Sequence, residues 1–312
     1  MVDWVAAVLA KKEATYGTDA VPTAAANGVL TRNYSARPLE VDQLERNLDS
    51  ADYGAQPSTP SNQRRTISYE VEIAGSGAAG TAPAWMELLE GCGMAPAVLA
   101  AGVDAQQRFA ASGVAASSVT HYDFLSDQRR KALGCAGTFS MDFTAGAYPF
   151  FGFEWTGLVP PTTPFDKIAP GAVTLTRWKK PVEVNIDNTV FTLDGYAPRL
   201  RSWKADAGVS VAVRNLVGSR YVRRGNHALR STAVIEAPDV VTKNYLTSLS
   251  EGSLVAFALT HGTVAGNIIE LSSAKVQITA ISESKEDDIV MWTIEMIHTI
   301  DGGANDLLIK AK

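Results

Sequence analysis

Thr66-Ile67-Ser68-Tyr69-Glu70-Val71-Glu72-Ile73-Ala74 decides the fold. Ile67, Tyr69, Val71 and Ile73 point one way and Ser68, Glu70 and Glu72 the other, and period two with one polar face marks a half-buried antiparallel strand. The same event returns over residues 230–237, where Leu229, Ala233 and Ile235 share the apolar face and Arg230, Thr232 and Glu236 the polar one. Glu45-Arg46-Asn47-Leu48 precedes the first strand and Val213-Arg214-Asn215-Leu216 the second. A short amphipathic helix is predicted after each. In residues 84–92, Trp85, Leu88, Leu89 and Cys92 fall at i, i+3, i+4 and i+7; in 239–249 the stripe is Val241, Tyr245 and Leu249. Pro83 suits the first turn, and Gly91, Gly93 and Gly252 suit the helix ends. Each copy closes on late alternating strands: Phe139, Met141, Phe143 and Phe151, Phe153, Trp155 in one, Val276, Ile278 and Val290, Trp292, Ile294, Met296 in the other. Glu154 and Glu295 hold equivalent outward positions. Self-similarity at a long period sets the architecture: a mainly β chain with short helices (α+β), built from two tandem units.

The chain has 312 residues, a prior for about two domains. At 46% apolar and 20% charged it buries substantial cores and is not disordered. A net charge of -5 argues against gripping nucleic acid through its phosphates, which needs a basic footprint. The two cysteines, Cys92 and Cys135, read as buried reduced thiols, in keeping with a reducing cytoplasm. Residues 4–10 are apolar but too short to span a bilayer, and they follow Asp3 rather than a basic segment.

Four segments emerge along the chain. Residues 1–28 read as an N-terminal arm, 29–158 as a first β unit, 159–188 as a proline-rich linker or arm, and 189–312 as a second β unit. Residues 49–63 read as a long polar loop, matched by a shorter one over 217–226. Residues 95–119, rich in Ala, Gly and Ser, read mostly as loop, and 174–178 and 182–186 as candidate strands inside the linker.

Gly75-Ser76-Gly77-Ala78-Ala79-Gly80 matches the GxGxxG of dinucleotide sites. Its context argues against that chemistry. The preceding strand is polar on one face, the following helix is too short for a full crossover, and the second copy has Ala237-Pro238 there. His121, His227, His261 and His298 show no metal-ligand spacing and read as surface or interface residues. No nucleophile elbow or triad spacing is present, so no catalytic, cofactor or metal residue is assigned. Glu40, Asp42, Glu45, Asp49 and Asp52 cluster with only Arg46 opposing them, and Glu70 and Glu72 follow. Such a surface repels phosphate, so DNA beside it slides rather than sticks.

Taken in order along nearly the whole chain, several segments resemble one family, the tail tube (major tail) proteins of long non-contractile-tailed bacteriophages. They are Lys12-Glu13-Ala14-Thr15-Tyr16-Gly17-Thr18-Asp19, Glu45-Arg46-Asn47-Leu48, Val71-Glu72-Ile73-Ala74-Gly75-Ser76-Gly77 through Thr81-Ala82-Pro83, Leu259-Thr260-His261-Gly262-Thr263 and Asn305-Asp306-Leu307. The resemblance implies two tail-tube-type β-sandwich or barrel units, each flanked by a helix. It implies a structural virion protein rather than an enzyme, assembled in the host cytoplasm. Its partners are other copies of itself in trimeric, pseudo-sixfold rings stacked into a tube, together with tape-measure, terminator and tip proteins. Genomic DNA passes through the lumen without sequence-specific binding. On that reading Ser68, Glu70, Glu72, Thr232 and Glu236 face the lumen, and Trp4, Asp49, Asp52, Tyr53, Gln56 and Arg64 contact the next ring. The alternatives are a ring-forming secretion-tube component of related fold and a nucleotide-binding enzyme using the 75–80 glycine run.

Overall fold

The computed structural model describes residues 6–49, 54–111, 114, 117–300 and 306–312. Trp4, Asp52 and Tyr53 lie outside these. The first half comprises β1 (Ala6–Lys12), β2 (Gly28–Val29), β3 (Arg32–Leu44), β4 (Thr59–Glu72), α1 (Trp85–Gly91), β5 (Val98–Ala100), β6 (Asp104–Arg108), β7 (Val119–Leu125), β8 (Gln128–Thr144), β9 (Phe150–Leu158) and β10 (Phe165–Lys167). The second comprises β11 (Thr189–Leu193), β12 (Leu200–Asp206), β13 (Val211–Leu216), β14 (Ser219–Arg224), β15 (Arg230–Glu236), α2 (Tyr245–Glu251), β16 (Leu254–His261), β17 (Ile269–Glu286), β18 (Ile289–His298) and β19 (Leu308–Ala311). The chain is mainly β with short helices.

Strand pairing repeats. The first half pairs antiparallel in the order β3-β4-β9-β8-β7-β1. The second pairs as β12-β15-β18-β17-β16-β11. Registers correspond as well: Ser68 faces Glu154 where Thr232 faces Glu295, and Glu72 faces Phe150 where Glu236 faces Met291. The alternation read in residues 66–74 therefore fixes the same side of the same strand in both halves. Ile67, Tyr69, Val71, Ala233 and Ile235 are all buried.

The halves do not stand apart. β12 of the second half pairs with β8 of the first, Lys204 opposite Asp142. This joins β3-β4-β9-β8-β12-β15-β18-β17 into one antiparallel wall of eight strands. Trp203 of β12 is fully buried at the joint, 5.9 Å from Phe143 and stacked at 5.1 Å on Phe257. Burying a side chain of that size contributes about 2–3 kcal/mol, so the joint is itself core. One apolar cluster accordingly runs from Trp85 and Phe151 through Trp203 to Trp292. On the other side of the molecule β19 pairs with both β17 and β6, tying the halves a second time.

Several local expectations change. β1, expected within an N-terminal arm, is a strand along β7. The segment after it is held by the buried carboxylate of Glu13, which accepts from the Gly17 and Gly134 amides and the Ser118 and Thr120 hydroxyls at 2.6–2.8 Å. The 49–63 loop is shorter than expected because β4 begins at Thr59. Its counterpart is a hairpin, β13–β14, turning at Val217-Gly218. Residues 95–119 contain β5 and β6. There the buried Gln107 amide donates to the Met86 and Ala95 carbonyls. Residues 174–178 and 182–186 form no strand: the Trp178 amide closes a turn onto Leu175, and Thr174 and Val184 bond outward to Ala24 and Ala147. α2 starts six residues later than predicted, and Val241 of the expected stripe lies in the preceding turn, 92% exposed.

Candidate functional site

The outer face of the wall gathers the polar positions of all eight strands. Ser68, Glu70, Glu72, Thr232 and Glu236 lie on it together, each half-buried. Beside them lie residues that no single-strand reading could join to them. Asp142 of β8 and Lys204 of β12 form an ion pair at 2.8 Å across the joint. Glu154 and Glu295 stand exposed at equivalent places. A shallow recess over Gly152 is lined by Asn33, Ser68, Glu70, Ser140, Glu154 and Asp206.

This face is acidic but not uniformly so. Glu70 accepts from the Arg32 guanidinium at 2.6 Å and from Asn33 at 2.8 Å, and Glu236 from Arg199 at 2.8 Å. The expected unopposed acidic stretch is thus corrected, because strand pairing brings cations that lie far away in sequence. Glu40 and Asp42 are likewise met by Arg64 at 3.3 and 2.8 Å. Hydrogen bonds from Arg64 and then Asn62 hold the Asp42 carboxyl below the usual range. Among the described residues Glu154 and Glu295 make no ion pair, and neither does Glu72; the first two are exposed, whereas Glu72 is half-buried. The equivalent outward places of Glu154 and Glu295 in the two copies were already legible in the sequence.

The β3–β4 hairpin projects beyond the wall. Leu39, Leu44 and Leu48 are exposed along it, and Asp49 is exposed near its tip. Of the expected contact residues, Gln56 is bonded across the loop to both backbone groups of Leu48, and Arg64 is committed to its own hairpin. The matching β13–β14 hairpin folds over the first half. Arg224 donates to the Glu90 and Gly91 carbonyls at 3.1 and 3.3 Å, and the Val222 amide donates to the Tyr16 hydroxyl. Arg214-Asn215-Leu216 and Arg46-Asn47-Leu48 both sit at the far ends of these hairpins.

The glycine run serves the contact between halves. The Gly75 amide donates to the Asn267 side chain at 2.7 Å, and the Gly77 amide to the Gly266 carbonyl at 2.9 Å. A Cβ on Gly75 would stand 2.0 Å from the Gly266 carbonyl oxygen. Two of the amides that a pyrophosphate could use, those of Gly75 and Gly77, are thereby engaged.

The histidine expectation is overturned for three of the four. His121, His261 and His298 are buried. Burial and then Arg65 push His121 down to about 3, and burial pushes His298 down to about 4. His227 stacks on Phe109 at 3.9 Å and meets Asp306 at 2.7 Å. The alternation pattern could not place these residues inside, because imidazoles bonded to Tyr69 and Ser231 are stable there. Cys92 and Cys135 are free and buried, and burial raises both thiols. Among the described residues no group of three or more His, Cys, Asp or Glu side chains could hold a metal. No described helix is long and apolar enough to cross a membrane.

No known protein family matches the chain, and no curated protein matches it.

Proposed function

We propose that the chain is a structural protein whose copies close into rings and stack into a tube: the tail tube of a long non-contractile-tailed bacteriophage. One observation carries this reading. A single antiparallel wall runs through both halves, apolar beneath and polar outside; among the described residues β3 has no strand partner beyond β4, and residues 278–286 of β17 have none beyond β18. A sheet with two open borders and a wet face is completed by more of the same sheet. Three copies would contribute 24 strands from the eight in each. At about 4.8 Å per strand that wall is roughly 115 Å around and about 37 Å across, wider still once the strands tilt. A B-form duplex fits inside. Ser68, Glu70, Glu72, Thr232 and Glu236, with Glu154 and Glu295, then line the lumen. The mixture of acids and paired bases gives the duplex no basic track to adhere to. Genomic DNA is the passing cargo, and tape-measure, terminator and tip proteins are the expected neighbours.

Electron microscopy of the purified protein at high concentration tests this. Rings or tubes of threefold symmetry with an open channel are expected. A compact monomer at every concentration contradicts the proposal.

A further inference from the structure

The chain contains one finished joint between its two units and, separately, both unfinished halves of the same joint. The finished one is β12 on β8, with Ser202 opposite Thr144, Lys204 opposite Asp142 and Asp206 opposite Ser140. In the repeated pairing order, β12 corresponds to β3 and β8 to β17. β3 pairs only with β4, and its other border is open among the described residues. β17 pairs with β16 only as far as Gln277, so the border of residues 278–286 away from β18 is open too.

The correspondence can be carried residue by residue. Lys204 faces Thr232, and Ser35 faces Ser68, which matches Thr232; Lys204 therefore matches Ser35. Asp142 faces Phe150, and Ser284 faces Met291, which matches Phe150; Asp142 therefore matches Ser284. We propose that β3 of one copy pairs antiparallel with the open border of β17 of another copy in the register of the internal joint, placing Ser35 opposite Ser284 and Arg37 opposite Ser282. The proposal rests on the assembly reading above and adds the contact's identity and register.

Charge favours this partner. The open stretch of β3 carries Arg32 and Arg37 with no carboxylate between them, whereas that of β17 carries Glu283 and Glu286 around Lys285. Charged groups also protect such borders from indiscriminate pairing. The contact is head to tail, so it propagates around a ring. The second internal tie is not repeated: β19 pairs with β6, and between α2 and β16 the second half has no such strand.

Cysteine pairing reads the register directly. Within one chain Ser35 and Ser284 lie seven strand spacings apart, about 34 Å, so they cannot bridge internally. Directly opposed residues are within disulfide reach, whereas a two-residue offset puts them about 7–8 Å apart. The buried Cys92 and Cys135 take no part. Under mild oxidation, Ser35→Cys/Ser284→Cys is expected to give a ladder of linked chains on a non-reducing gel. Ser35→Cys/Ser282→Cys, Ser35→Cys/Glu286→Cys and either single variant are expected to give none. Rings or tubes in micrographs without this link, or with a stronger link from an offset pair, overturn the register and leave the tube reading standing. Links without tubes support the joint and count against the tube. Neither links nor particles overturns both.

Discussion

Arg65 of β4 and Asp123 of β7 form an ion pair at 2.6 Å, and neither side chain has any exposure. A second guanidinium nitrogen reaches the other carboxylate oxygen at 2.9 Å, and the Tyr34 hydroxyl donates to that oxygen at 2.7 Å. The pair bolts the polar-faced wall to the layer behind it. By the register correspondence, the second half has Leu229 where the first has Arg65: Arg65 faces Gly157, while the Leu229 carbonyl accepts from the His298 amide. Leu229 is also fully buried. The protein thus contains an apolar version of this position. Replacing one partner of a buried pair strands the other charge and costs about 3–5 kcal/mol, whereas replacing both by apolar groups is often close to neutral. We expect Arg65→Leu alone and Asp123→Val alone each to lower unfolding free energy by roughly 3–5 kcal/mol. The double variant should lie within about 2 kcal/mol of the parent, leaving a coupling of several kcal/mol. Urea unfolding of the four proteins, followed by tryptophan fluorescence, measures the cycle. Single variants that cost under about 1 kcal/mol, or a double variant equal to the sum of the singles, would refute the argument.

Gly75→Ala drives a methyl into the Gly266 backbone and should cost at least about 1–3 kcal/mol; an unchanged melting curve would show that the contact between halves is loose. His121 and His298 are held at about 3 and about 4 in the folded protein, below the unfolded value of about 6.5. The unfolded chain therefore binds more protons in that window, so their contribution is complete above about pH 6.5 and drains as pH falls, by about 1.4 kcal/mol per pH unit for each histidine. Denaturation midpoints that stay flat from about pH 6.5 to 4.5 would contradict this. On the tube reading, Glu154→Lys/Glu295→Lys should slow or trap DNA passage while tubes still form, and normal ejection kinetics from such particles would remove these residues from the lumen. Replacing residues 49–56 by a tight turn spares β4 and should leave a folded subunit that fails to stack; tubes of normal length would count against a contact role for the tip.

The repeat was readable because residues 66–74 and 230–237 alternate on a half-buried face, where side-chain period and backbone geometry coincide. The five expected wall residues share one face for the same reason. What the chain does between its units was not readable. β12 has Trp203 and Ala205 inward, as any half-buried strand would, and nothing local says that its partner is β8 rather than a solvent boundary. Arg65 and the buried histidines were missed because polar groups satisfied by distant partners leave no periodic trace. The glycine run looked like a ligand loop because close approach to another backbone makes the same demand as close approach to a phosphate: the absence of Cβ.

The β19–β6 tie, present within the chain and without a counterpart in its second half, makes alternate seams of any closed ring mechanically unequal. On the tube reading, seams inside a polypeptide are stitched twice and are also covalently bridged, whereas those between polypeptides are stitched once along the wall. Such a cylinder behaves as three stout staves, not six equal ones. Under bending or internal pressure, cracks open along the three inter-chain lines first.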